Sequence, residues 1–405
     1  MENTIETDVL VIGGGLVGGP LACCLAAAGV SAVVVDAEDP ATTLDTAYDG
    51  RASAVALGSQ RVLAAAGLWP AIAAFAAPIK QIRVSDGHSP LFLHYDHRAI
   101  GDEPFGWIVE NRAIRRAVVD CLPTLAKARL LAPARLLELE RGPSSVHARL
   151  ADGRTIRAAL AVAADGRPSP TRIAAGIGIS RRDYGQTAIV CTVAHARSHQ
   201  DTAQEHFLPA GPFAILPLPG RRSSVVWTEK SHLVPAIMRQ DDAAFLRELH
   251  SRFGDFLGDI ALEGPRFAYP LSLQLADAYT AHRLALVGDA AHGMHPVAGQ
   301  GMNMGLRDVA ALAEVVVEAK RLGLDLGNRA SLERYARWRR FDNLLMLGVT
   351  DALVRLFSND LAPLRLARDL GLAAVNHLPP VKRLFMRHAM GLVGDLPRLM
   401  KGQAL

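Results

Sequence analysis

Glycine, aspartate and asparagine gather in two widely separated clusters. Gly13-Gly14-Gly15-Leu16-Val17-Gly18 stands near the start, and Gly288-Asp289-Ala290-Ala291-His292 leads to Pro296-Val297-Ala298-Gly299-Gln300-Gly301-Met302-Asn303. In the first, Gly13 permits a tight turn, Gly15 lets backbone N–H groups approach a pyrophosphate at a positive helix end, and Gly18 lets helix and strand pack closely. Asp36 closes the following apolar run, where its carboxylate can accept hydrogen bonds from ribose hydroxyls. In the second, Asp289 is placed to hold a sugar-like hydroxyl chain. Gly299, Gln300, Gly301, Met302 and Asn303 open a helix whose first N–H groups have no partner within it. Such a helix end favours negative charge across N1 and the C2 carbonyl of a reduced flavin. Either cluster alone could bind a dinucleotide; together they suggest FAD.

The elements needed to position these residues are legible around them. An apolar run, Val9 to Ile12, precedes the first cluster; an alanine-rich stretch, Leu21 to Ala28, follows it; Gly29 then leads to a second apolar run, Ala32 to Val35. This is a strand–helix–strand order. Pro20 removes a helix N–H, but so near the helix start that this donor is largely unpaired anyway. Arg283 to Val287 has the pattern of a short buried strand that delivers Gly288 and Asp289 to its carboxyl end, and the helix after Gly299 runs through Leu306, Val309, Leu312 and Val316. Between the clusters, Ala164-Asp165-Gly166-Arg167-Pro168-Ser169 reads locally as a turn.

These three segments, in this order and spacing, resemble the flavoprotein aromatic hydroxylases of the para-hydroxybenzoate hydroxylase type, over roughly residues 8 to 400. The closer resemblance is to the ubiquinone-biosynthesis hydroxylases, which include the 2-polyprenylphenol and 2-polyprenyl-6-methoxyphenol hydroxylases and their mitochondrial relatives. Four stretches carry it: Asp49-Gly50-Arg51-Ala52-Ser53-Ala54 with Gln60-Arg61-Val62-Leu63 and Gly67-Leu68-Trp69; Trp107 to Arg112; Phe207-Leu208-Pro209 with Gly211-Pro212-Phe213-Ala214 and Pro217-Leu218; and Leu356 to Asp360. Asp36 stands where such proteins often carry Glu. The resemblance implies that Asp165 and Gly166 serve both FAD and NAD(P)H, and that Arg51 neutralises the pyrophosphate; read locally, Arg51 is a loop arginine. Arg112 is a second candidate for cofactor contact, the alternatives being a pair with Glu110 or the start of a helix through Ile114 and Val118.

The activity implied is that of an FAD-dependent monooxygenase. NAD(P)H would reduce the flavin, O₂ would add at C4a, and the distal oxygen of that hydroperoxide would pass to an electron-rich ring, here a polyprenylated phenol. Pro296 is expected near the isoalloxazine face, and Phe213 and Pro217 are candidates for the substrate wall, with strand packing as their alternative role. His206, His292 and His295 are possible neighbours of the site, but no catalytic base is assigned. In His94-Tyr95-Asp96-His97 a strand would splay alternate side chains to opposite faces, so no metal is assigned either. Two other functions are open: an FAD-dependent reductase of the geranylgeranyl-reductase type, and an assembly subunit that keeps FAD as structure.

Half of the 405 residues are hydrophobic, enough for a substantial core. The expected architecture is α/β: a Rossmann-like FAD-binding domain from residues 1–78, 104–176 and 270–342, an interleaved β-sheet substrate domain from 79–103 and 177–269, and a C-terminal helical extension, 343–405. Four scattered cysteines, two adjacent in an apolar helix, suit a reducing compartment. Neither a signal peptide nor a spanning segment is expected, so a cytoplasmic location follows. Scattered basic residues and few aromatics argue against nucleic acid. Residues 343–405 carry eight Lys or Arg against four Asp, which equals the +4 excess of the whole chain. Leucines alternate with these cations, so the extension could pack on the FAD domain, lie on an anionic membrane as a peripheral contact, or meet a partner in a biosynthetic complex.

Overall fold

The computed structural model describes residues 4–87, 92–294, 299–357 and 378–405. Pro296, His295, the stretch Ser358-Asn359-Asp360 and the leucines 361 to 372 lie outside the described residues.

The run Val9 to Ile12 is the buried half of strand Thr4–Ile12, which pairs in parallel with Ala32–Val35 on one side and Thr155–Ala163 on the other. Continuous apolar runs suit a parallel sheet because both faces are covered. The same sheet continues in parallel to Ala128–Leu131 beyond Ala32–Val35, and to Leu284–Leu286 beyond Thr155–Ala163. Helix Gly18–Ala27 is apolar all round and buried along almost its whole length, as a helix between sheet and neighbouring helices must be. Pro20 falls in its first turn, and Leu21 N–H still reaches the carbonyl of Val17.

A second eight-stranded sheet is mostly antiparallel. Its longest strands are the pair Ile179–His195 and Ile260–Ala276, near one edge, and its far edge is Gln81–Asp86 with Phe92–Asp96. Alternation gives it two chemically distinct faces. One carries Ile189, Phe213, Ile215 and Trp227 against Phe245, Leu249 and Phe253 of helix Asp242–Phe253. The opposite face carries Ala188, Val190, Val226, Phe267, Tyr269 and Leu271, and it looks toward the glycine loops. A Cβ on Gly50 would lie 2.3 Å from the Phe267 ring. The third, three-stranded sheet, Ala52–Ala56, Gly106–Glu110 and Ala76–Ile79, packs between the other two.

The α/β architecture expected from the sequence is the one observed, with two qualifications at the element level. Strand Ile260–Ala276 runs unbroken through residue 270, and helix Arg329–Phe357 runs unbroken through residue 342. Apolar periodicity marks elements well but not where one core hands over to the next. The C-terminal stretch packs inward as well: Met386 and Met390 join the core beneath the small sheet, and Leu399 and Met400 join the core of the first sheet.

The close approach at Gly18 sets a limit on sequence. A Cβ there would stand 1.9 Å from the Gly13 carbonyl oxygen and 2.9 Å from the Ala164 Cβ. Gly18→Val is therefore expected to lower stability by about 1–3 kcal/mol or more, as overpacking does, measured by urea unfolding of the flavin-free protein.

Candidate flavin site

Three loops converge at the carboxyl ends of the parallel strands, where open α/β sheets bind their ligands. Gly13 N–H donates to the carbonyl of Val35 at 2.8 Å, and Gly14 N–H donates to Asp36 Oδ2 at 2.7 Å. The other Asp36 oxygen accepts from Glu38 N–H at 2.9 Å. The first two loops touch directly, since Gly13 and Gly18 both abut Ala164. The third joins through Val17, whose side chain lies against two glycines: a Cβ on Gly288, at φ +58°, would be 3.0 Å from Val17 Cγ2, and one on Gly305 would be 2.7 Å away. Gly15 behaves differently. Among the described residues nothing lies within 4 Å of where its Cβ would be, and at Gly301 only Met294 Cγ is reached, at 4.0 Å. Packing thus explains some of these glycines, whereas open space beside the backbone is what Gly15 and Gly301 provide, and it suits a cradle for a large cofactor.

Asp165 folds its own loop: Ser169 Oγ donates to Oδ1 at 2.5 Å, and Thr171 N–H donates to Oδ2 at 3.0 Å. Arg167, two residues on, connects everything around it. Its guanidinium donates to Asp289 Oδ2 at 3.2 Å, to the Ser272 carbonyl and hydroxyl, both at 3.0 Å, and to the Met294 carbonyl at 3.1 Å. Local reading of Asp-Gly as a turn passed over this arginine; its signal was only its place in the quoted segment. Arg172, almost fully buried, closes the loop on the carbonyls of Arg167, Pro168 and Ala290.

Helix Gln300–Arg321 begins at Gly299, at φ +61°, a residue with no side chain to cap the first N–H groups. The Asn303 side chain has another task. It accepts from Ala56 N–H at 2.9 Å and donates to the Ala54 carbonyl at 2.8 Å, tying the small sheet to the helix start, so any cofactor contact here would be made by backbone N–H groups. Arg51 is a half-exposed side chain held by Asp49 through two bonds of 2.8 and 3.0 Å, with its guanidinium carbon 4.7 Å from the centre of the Tyr269 ring. Asp49 also accepts from Arg115 at 2.6 Å, Asn111 at 3.2 Å and the Tyr269 hydroxyl at 3.2 Å. Burial alone would raise its pKa, but the two guanidiniums hold it well below the usual carboxylate range. Arg112 occupies the first turn of helix Asn111–Cys121, and Glu110 lies 3.6 Å from Arg222.

Of the two roles open to Phe213 and Pro217, the structure favours strand packing. Phe213 is fully buried opposite Trp227, on the sheet face that helix Asp242–Phe253 covers, and Pro217 shares that face by alternation. The residues on the loop side are Val190, Val226, Phe267, Tyr269 and Leu271. A one-residue change of parity separates the two sets.

Behind the second loop lies a carboxylate that the sequence reading missed. Asp308 is wholly buried; Oδ2 accepts from His292 Nε2 at 2.5 Å and from Gly288 N–H at 3.0 Å, and Oδ1 accepts from Arg339 Nε at 2.8 Å. Arg339 in turn donates to Asn343 at 2.6 Å and Asp342 at 2.8 Å. His292 is thereby engaged in holding the loop. Burial alone would raise the Asp308 pKa, but His292 and Arg339 bring it down to about 2.

Comparison with known proteins agrees with this geometry. The family description "FAD binding domain" matches residues 6–340. A ubiquinone hydroxylase, UbiL, of Rhodospirillum rubrum is 60% identical, over 98% of this chain and 93% of that protein. The chain belongs to the FAD-dependent ubiquinone-biosynthesis hydroxylases. This hydroxylase is also 34% identical to the 3-demethoxyubiquinol 3-hydroxylase of Escherichia coli K12, over 95% of the chain and 99% of the relative. The p-nitrophenol 4-monooxygenase PnpA of Pseudomonas putida DLL-E4 shares its fold, with a TM-score of 0.81 at 21% identity, covering 98% of this chain and 100% of that one.

Two outcomes follow. Gly15→Val should unfold within about 0.5 kcal/mol of the parent when flavin-free, because its Cβ meets no atom of the described residues, yet retain less FAD by absorbance after dialysis. Arg339→Met should cost about 3–5 kcal/mol by leaving a buried carboxylate unpaired, and adding Asp308→Asn should cost less than the sum of the two single changes. The sign with pH is fixed by the lowered pKa: stability from Asp308 is present above about pH 4 and fades as pH falls toward 2, so Asp308→Asn should flatten the acid limb of a urea-midpoint profile.

Proposed function

We propose that this hydroxylase inserts one oxygen atom into the ring of a polyprenylated phenol on the route to ubiquinone. The observation that carries the reading is the convergence of three glycine loops at the carboxyl ends of the parallel strands, with Gly15 and Gly301 clear of close contact among the described residues and a helix opening at Gly299. FAD reduced by NAD(P)H supplies the means of activating O₂; ring, O₂, NAD(P)H and a proton give hydroxylated ring, water and NAD(P)⁺. The chain's own residues bind and orient. Backbone N–H groups near Gly15 would meet the pyrophosphate with Arg51 beside them, Asp36 the ribose, Asp289 the hydroxyl chain, and the N–H groups of Met302 and Asn303 the electron-rich edge of the flavin ring. Asp165 and Arg167 set the shape of the loop that NAD(P)H approaches. Val226, Phe267 and Leu271 supply apolar cover, which limits water around a reactive oxygen species.

A greasy phenol resides in the bilayer, so we infer a peripheral contact with the cytoplasmic membrane; among the described residues no helix is long and apolar enough to cross it.

Turnover of a short-chain polyprenylphenol with NAD(P)H under ¹⁸O₂ should place one ¹⁸O on the ring, read by mass spectrometry, and deletion of the encoding gene should accumulate the unhydroxylated precursor. Reduction of a prenyl double bond without oxygen uptake would replace this reading with the reductase.

A further inference from the structure

Helix Arg329–Phe357 turns its polar side inward. Its buried face carries Tyr335, Arg339, Asn343, Leu347 and Thr350, whereas Phe341 is 71% exposed and Leu345 57% exposed, with Leu344 and Leu356 also outward. Helix Pro379–Ala389 shows a related pattern: Met386 is buried, while Leu384 at 56% and Phe385 at 46% face outward. Asp342 and Met346 of the first helix and His388 of the second line one crevice, which brings the two helices together. Of eighteen exposed large hydrophobic residues among those described, eight belong to these helices or the residue that caps the second. Singly scattered apolar residues are ordinary on a surface; a cluster of this kind is not.

Exposed arginines stand beside the cluster, with the acid Asp395 near Arg337. Arg337, Arg340, Arg383 and Arg387 are exposed beside it, and Pro379–Ala389 contains no acid. The acids of the longer helix are engaged elsewhere: Glu333 with Arg329, Asp342 with Arg307 and Arg339, and Asp351 with Arg182 and Tyr184. An apolar strip edged by arginine matches the boundary between acyl chains and anionic headgroups. A second copy fits less well, because a two-fold contact would set the same cations against themselves.

We propose that the outward faces of these two helices form the surface by which this hydroxylase docks on an anionic bilayer, with Phe341, Leu345, Leu384 and Phe385 entering the acyl boundary and Arg383 and Arg387 against lipid phosphates. This names the surface for the peripheral contact inferred above and rests on that reading, while remaining separable from the ring chemistry.

Cosedimentation of the FAD-loaded protein with vesicles of phosphatidylcholine, with and without phosphatidylglycerol, tests it. Binding should require phosphatidylglycerol, weaken as salt rises, and fall by about tenfold or more in Leu345→Ser/Phe385→Ser. Arg383→Gln/Arg387→Gln should lose the preference for phosphatidylglycerol. Flavin absorbance and the melting temperature, unchanged in both variants, would show that the fold is kept, and turnover of detergent-dispersed phenol should match the parent. Failure of the parent to pellet with either vesicle would overturn the proposal, as would equal pelleting of parent and Leu345→Ser/Phe385→Ser. A dimer in sedimentation velocity that this double variant dissolves would assign the face to a second copy instead. Loss of turnover in detergent with vesicle binding intact would count against the ring chemistry alone.

Discussion

A carboxylate removed from water has to be surrounded by donors, and around Asp308 those donors come from two parts of the chain, which with its own helix makes three. Gly288 and His292 belong to the loop after strand Leu284–Leu286, Asp308 itself to the helix that opens at Gly299, and Arg339 and Asn343 to the helix after it. Burying an ion is costly unless each of its lone pairs is met. That cost makes the arrangement specific: shifting any of the three elements strands a charge. The second half of the flavin cradle is therefore held from behind, by electrostatics, while its front stays open for a ligand.

The first half is held by shape. Gly13, Gly18 and Ala164 interlock at backbone distance, and Val17 reaches across to Gly288 and Gly305. This division of labour accounts for the two kinds of glycine in the site. Some are small because a neighbouring atom occupies the space a side chain would need, whereas at Gly15 no described atom does and at Gly301 only Met294 Cγ comes within 4.0 Å. The apolar face of the second sheet reaches the Asp49–Arg51 loop, with Phe267 against Gly50 and the Tyr269 ring beside the Arg51 guanidinium.

Much of this was legible beforehand, for physical reasons. A continuous apolar run such as Val9 to Ile12 with glycines behind it has few folds available, and the helix after Gly299 declared itself by the period of Leu306, Val309, Leu312 and Val316. The family resemblance added the cofactor and the type of reaction. What stayed hidden depended on parity or on partners distant in sequence. For Phe213 substrate wall and strand packing both stayed open, because alternation says that two faces exist, not which one is covered by a helix. Asp308 did leave a trace: it stands one turn from Leu312 on a face otherwise apolar, and a charge there asks for a partner. That partner, Arg339, is 31 residues away on another helix. Arg51 and Asp49 are neighbours in the sequence, but the Tyr269 ring over the guanidinium comes from the other sheet.

The seat of Val17 bears on how the polypeptide emerges during synthesis. The residue is made early, and the glycines that receive it follow about 270 positions later, a contact of very high sequence separation that must wait for most of the chain. Until then the nascent first loop is a half-socket with an exposed apolar tip. A chain that stops short of residue 288 contains the early strands of the first sheet but neither of the glycines against which Val17 seats.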